Sequence, residues 1–163
     1  MITLPNPPTL KLLLSHPAHF LSLGLGAGLA PKAPGTFGTL VALPLYFFVM
    51  MPLPPLQQLI IIATLFVLGV YLCHVTGLAI GVSDHGAIVW DEIVAMLLVL
   101  VFTPVTWQWW CAAFLLFRLF DIWKPFPIRQ CDVAVKGGLG VMLDDILAAV
   151  YAIACLKVMV WMS

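Results

Sequence analysis

Seven carboxylates and seven Lys or Arg side chains make up the fixed charge of this 163-residue chain, only 9% of its residues. Their spacing limits the chemistry open to it. Every Asp and Glu falls between Asp84 and Asp145. Asp84, Asp91 and Glu92 lie in DHGAIVWDE (residues 84–92), and Asp121, Asp132, Asp144 and Asp145 in RLFDIWKPFPIRQCDVAVKGGLGVMLDD (residues 118–145). Most of them sit beside or just inside apolar runs, where a carboxylate is expensive to keep near lipid and is therefore read as functional. Acids gathered this closely repel one another unless a cation neutralises them. Oxygen ligands without neighbouring Cys or His suit a hard ion such as Mg²⁺. Arg118 and Asp121 are three residues apart on one helical face, as are Asp121 and Lys124. That spacing fits salt bridges anchoring helix ends, and equally fits fixed cations that hold a phosphate. Acids for a metal beside cations for a phosphate are the parts that phosphoryl chemistry uses.

Other phosphatase chemistries find no matching residues. A cysteine phosphatase needs Cys-x5-Arg, whereas the fifth residue beyond Cys131 leads to Gly137. No Asp-x-Asp offers an aspartyl nucleophile, and no Ser/His/Asp order stands out, so metal-activated water is what remains. Cys73, Cys111, Cys131 and Cys155 are widely spaced, with no C-x-x-C, and read as reduced core or loop residues. A formal net charge of zero gives no basic footprint for nucleic acid.

The elements that position these residues belong to a membrane protein. Hydrophobic residues are 63% of the chain and mean hydropathy is +1.13, against about 45–50% apolar in soluble domains. The expected fold is an all-α membrane protein of about five transmembrane helices, preceded by an interfacial helix and a Gly/Pro-rich loop. It forms one domain over residues 1–163, with the helix and loop in 1–36 and the bundle in 37–163. The N-terminus, interrupted by prolines and lacking an initial positive region, does not read as a signal peptide. Residues 9–21 predict a short helix in the interface, broken at Pro17. Residues 24–40 hold enough Gly and Pro to turn repeatedly. There Lys32, Gly35 and Thr36 either cap the following helix or cradle a phosphate at its N-terminus; no G-K-[ST] marks a Walker A loop.

No charged side chain of the Asp, Glu, Lys or Arg type occurs from Lys32 to Asp84. Spans are expected near 37–52, 56–79, 87–102, 106–123 and 141–161, each approaching the ~20 residues that cross a bilayer. His74 reads as a packing histidine. Five alternating spans place Lys11, Lys32, Arg118, Lys124, Arg129 and Lys136 at one face and Lys157 at the other, so the first face is expected to be cytoplasmic. The same alternation brings all the acids to that face. Asp91 and Glu92 then lie about one turn inside the third helix, Asp144 and Asp145 one turn inside the fifth, and Asp121 in the last turn of the fourth. Neighbouring residues diverge by ~100°, so one of each adjacent pair binds directly and the other supports it. A cation transporter or channel would use the same acids as an ion path, but its site belongs near the midplane.

Four blocks carry a family resemblance: PGTFGTL (34–40), VWDEIVAM (89–96), FRLFDIWKPFPI (117–128) and GGLGVMLDDILAA (137–149). In order and spacing they resemble the signatures of phosphatidylglycerophosphatase A, with Thr39 where Ser is common and Ala95 where Gly is common. The resemblance implies a bacterial inner-membrane, Mg²⁺-dependent lipid phosphatase with its active site facing the cytoplasm. Its substrate would be phosphatidylglycerophosphate and its products phosphatidylglycerol and inorganic phosphate. It also implies Asp91, Glu92, Asp121, Asp144 and Asp145 as metal ligands and Arg118 and Lys124 as catalytic and phosphate-binding cations, with Lys32, Gly35 and Thr36 beside the substrate. Asp84 or His85 is the candidate proton donor to the leaving glycerol. Oligomeric state stays open.

Overall fold

Proline and glycine decide where the helices of this chain begin, bend and stop. The computed structural model describes residues 8–163; residues 1–7, part of the segment read as no signal peptide, lie outside it. Every regular element among the described residues is helical. Helices α1 (Leu10–Ser15) and α2 (Pro17–Ser22) are split at His16-Pro17, as expected. Thr9 caps the first by accepting the Leu12 N–H at 3.1 Å, and His16 Nδ1 caps the second by accepting the Ala18 N–H at 3.1 Å. Leu10, Leu14 and Phe20 are left exposed along this pair. On the inner side His19 meets Thr76 across a buried 3.0 Å hydrogen bond, and its ring is held below its usual pKa by burial first and by His16 second.

A tight turn over Gly24–Leu29 follows, then α3 (Pro34–Leu45). Pro44 has no N–H to give the preceding turn, and the helix continues as a π-turn, Tyr46–Met50, with Met51 N–H donating to Tyr46 O at 2.8 Å. Gln58 closes the turn into α4 (Pro55–Ile80) by donating to Met50 O at 3.1 Å and Leu53 O at 2.8 Å. Then come α5 (Trp90–Val101), α6 (Trp107–Trp123), α7 (Ile128–Ala134) and α8 (Gly138–Met162).

Among the described residues two helices, α4 and α8, are long and apolar enough to cross a membrane. The third of the five expected spans is much shorter than α4 and α8. Helix α5 has 12 residues, about 18 Å at 1.5 Å per residue, against ~30 Å of hydrocarbon. Nearly every residue from Trp90 to Leu100 is buried by other helices, so its length answers to protein neighbours rather than to lipid. Because α5 starts at Trp90 and not near Ala87, Asp91 and Glu92 lie in its first turn, where the positive end of the helix dipole favours carboxylates. Because α8 starts at Gly138, Asp144 and Asp145 sit nearly two turns inside it, not one. The charged loop after α6 is not all loop, since it contains α7.

Small residues let these helices approach closely, as membrane helix contacts require. A methyl on Gly138 would overlap the Val70 carbonyl of α4, and one on Gly69 would meet Met142 and Trp90. The N-termini of α5 and α8 and the C-terminus of α6 are thereby drawn to one end, which the start of α3 also reaches. Lys157 lies at the other end, 5.6 Å above the ring of Phe102. His74 departs from its expected packing role: it is exposed and lines a cleft with Gly77, Ser83 and Gly137. All four cysteines are free.

Candidate active site

The acids that the sequence separates by up to 54 positions meet at the end where α3, α5, α6 and α8 converge. Asp91, Glu92 and Asp145 each offer a carboxylate oxygen, and these oxygens all lie within 4.8 Å of one another. Asp91 and Asp145 are buried, with 8% and 3% of their surface exposed. Asp91 Oδ1, Glu92 Oε2 and Asp145 Oδ2 are buried without a hydrogen-bond partner. Three acids with orphaned oxygens turned into so small a volume need a counter-charge. An all-oxygen donor set of this kind fits a hard divalent cation.

Arg118 forms the cationic wall. Its Nη1 lies 2.5 Å from Asp121 Oδ2 and 3.7 Å from Glu92 Oε1. Even so, Nε and Nη1 are buried without a well-aligned hydrogen-bond acceptor. The guanidinium is thus anchored at Nη1 by Asp121 and keeps its buried Nε–H for an oxyanion, the group its planar fork matches best.

Lys124 ends α6 in the left-handed region, with φ 46°, and points to a different acid. Its ammonium lies 2.5 Å from Asp144 Oδ2 and 3.2 Å from Asp132 Oδ2. Burial opposes its charge, but the bonds and charges of Asp144 and Asp132 outweigh that and push its pKa up. Adjacent Asp144 and Asp145 therefore diverge: one is tied to Lys124, the other joins Asp91 and Glu92. Asp144 Oδ1 stays buried and unpartnered. Asp132 is a member that sequence reasoning passed over, because nothing in its loop marked it as reaching back to Lys124.

The start of α3 touches this site through Gly35. A methyl there would collide with Glu92 Oε1 and come within 3.1 Å of Arg118 Nη1. Thr36 is half-buried beside it, and Thr39 donates its hydroxyl to Gly35 O at 2.8 Å. Lys32 is exposed on the loop just before, next to Ala33 at φ 48°. Asp84 lines a small polar cleft with Asp132 and Lys136, outside the cluster of three acids. His85 Nδ1 accepts the Ala87 N–H at 3.1 Å, which leaves Nε2 to carry the proton of the neutral ring.

The family model for Phosphatidylglycerophosphatase A matches residues 20–160. A protein of Haemophilus influenzae named Phosphatidylglycerophosphatase A is 47% identical over 159 residues, covering 96% of this chain and 98% of that protein. An Escherichia coli protein of the same name is 47% identical over 142 residues, 86% of this chain and 81% of that protein. No solved structure matches the chain.

Proposed function

We propose that this chain, which belongs to the phosphatidylglycerophosphatase A family, hydrolyses the terminal phosphomonoester of phosphatidylglycerophosphate to phosphatidylglycerol and inorganic phosphate. The observation that carries the reading is the buried meeting of Asp91, Glu92 and Asp145 beside the unspent Nε–H of Arg118.

Asp91, Glu92 and Asp145 would hold Mg²⁺. When bound, the ion supplies Lewis-acid neutralisation of charge on the phosphoryl group. Arg118, steadied by Asp121, donates its free Nε–H to the phosphoryl oxygens and stabilises the charge that builds on them. Gly35 and Thr36 present the first turn of α3 to the same phosphate, with Lys32 at the entrance. Lys124 fixes Asp144 so that its free Oδ1 orients the attacking water. A bond forms from that water's oxygen to phosphorus, the bond from phosphorus to the glycerol oxygen breaks, and the departing oxygen takes a proton. Asp84 or His85, on the loop before α5, is the candidate donor of that proton. A divalent-cation path finds no support: the acids gather at one helix end, and no charged residue lies between Ile93 and Phe117.

The bundle crosses the bacterial inner membrane five times in this account, with α4 and α8 as full spans and the site at the cytoplasmic leaflet. The excess of Lys and Arg at the site end supports that orientation. One experiment tests activity and sidedness together. Dihexanoyl phosphatidylglycerophosphate, soluble enough to be added from one side, is given to sealed vesicles carrying the protein. Inside-out vesicles should release phosphate and phosphatidylglycerol, while right-side-out vesicles should do so only after detergent opens them. Release from neither, opened or sealed, rejects the phosphatase; release from intact right-side-out vesicles alone rejects the orientation.

A further inference from the structure

Lys124 reaches Asp144 from a turn with little of its own to hold it. The turn runs from the end of α6 at Trp123 to the start of α7 at Ile128. Lys124 itself stands in the left-handed region, at φ 46° and ψ 63°, a backbone that residues with a side chain rarely adopt and that persists where neighbours fix it. Pro125 and Pro127 bring no N–H to the turn. Ile122, Trp123 and Phe126 turn their side chains outward, and the buried side chains are Phe120 before the turn and Ile128 after it. Two backbone bonds brace it from within: the Lys124 N–H donates to Phe120 O at 2.9 Å, and the Ile128 N–H to Pro125 O at 2.7 Å.

One side chain of α8 grips this turn on both sides of Lys124. The Tyr151 hydroxyl donates to Phe126 O at 2.7 Å, and the Tyr151 ring packs against that of Phe120 with centroids 5.3 Å apart. Phe120 precedes Lys124 by four residues, and Phe126 follows it by two. Tyr151 comes seven residues after Asp144, about two helical turns on and therefore on the same face of α8. That face holds Lys124 twice, by its ammonium at Asp144 Oδ2 and by its backbone through Tyr151.

We propose that Tyr151 is a positioning residue for phosphate release, its hydroxyl fixing the backbone from which Lys124 sets Asp144. The assignment rests on the lipid phosphatase reading above. Without the hydroxyl the turn can relax its left-handed residue, and the ammonium then shifts against Asp144, whose free Oδ1 orients the attacking water in that reading. The hydroxyl bonds to the turn and to none of the acids, so its loss falls on turnover and not on lipid binding.

Tyr151→Phe removes the hydroxyl and keeps the ring on Phe120. With phosphatidylglycerophosphate in mixed micelles, kcat for phosphate release should fall about tenfold, a fraction of the roughly hundredfold that a 1 Å displacement costs, with KM and Tm close to wild type. Tyr46→Phe is the control. It removes a hydroxyl bond to Gln58 Oε1 at 3.2 Å, eleven residues along the chain from Gly35, and should leave kcat within about twofold. In an Asp132→Asn background Lys124 lacks one of its two carboxylate partners and depends more on its turn. There the double variant should lose more than the product of the two single losses, as residues holding one group in common do. A wild-type kcat in Tyr151→Phe, a lower Tm with unchanged kcat, or a double loss no greater than that product would each overturn the assignment and leave the phosphatase standing. Absence of phosphate release by the wild-type protein rejects the phosphatase, and the role of Tyr151 with it.

Discussion

Asp91→Asn and Asp145→Asn should each lower phosphate release by about three orders of magnitude or more, the scale on which removal of a preorganised charge-stabilising group is felt. Each substitution keeps the side chain's shape and removes one negative charge from a set of three whose oxygens lie within 4.8 Å. The partnerless oxygens Asp91 Oδ1 and Asp145 Oδ2 are buried, so the change falls on the cluster proposed to hold Mg²⁺. Folding should survive, since neither residue forms an ion pair in the structure, and metal-free thermal stability should hold or rise as repulsion is relieved. Mg²⁺ should raise the Tm of the wild type by binding its folded state, and should raise that of each variant less. Asp132→Asn supplies the contrast. It removes one of two partners from Lys124 but leaves Asp144 attached at 2.5 Å, so its loss should be nearer tenfold. Turnover and Mg²⁺ response like wild type in both Asp91→Asn and Asp145→Asn would remove those residues from the site.

Gly35→Ala should lower kcat by about a hundredfold without unfolding the protein. Alanine is the better helix former by about 1 kcal/mol, so the helix itself gains. The cost is local: the new methyl collides with Glu92 Oε1 and crowds Arg118 Nη1 at 3.1 Å. The carboxylate must swing away, and a displacement of about 1 Å at reacting groups costs about two orders of magnitude. A normal helical spectrum and unchanged Tm alongside lost turnover is the expected pattern. Gly81→Ala serves as the control: its methyl meets nothing within 4 Å, and although φ 89° strains it, it lies away from the acids and should leave kcat within a few fold. An active Gly35→Ala enzyme would detach the start of α3 from the chemistry.

Much of this site was legible because charge is so scarce. In a chain with 9% charged residues, a carboxylate inside an apolar run announces itself, and helix alternation alone carries Asp91, Arg118 and Asp145 to one end. Pro17 and Gly137 likewise marked breaks that the backbone confirms. Lengths were less legible. Helix α5 reads as a span because its residues are apolar, yet hydropathy does not distinguish burial against lipid from burial against α3, α4 and α8. The division of labour between Asp144 and Asp145 was also hidden. Their angular divergence was foreseeable, but which of them faces Lys124 depends on how close Gly138 lets α8 approach α4. Asp132 escaped notice for the same reason: α7 folds back only after Ile128 is buried.

The most direct measurement is phosphate release from phosphatidylglycerophosphate by protein first stripped with EDTA and then titrated with Mg²⁺. The stripped protein should release no phosphate, activity should return saturably with added Mg²⁺, and phosphatidylglycerol should form in step with phosphate. Full activity persisting in excess EDTA, with no response to added Mg²⁺, would contradict the claim that Asp91, Glu92 and Asp145 exist to hold a catalytic cation.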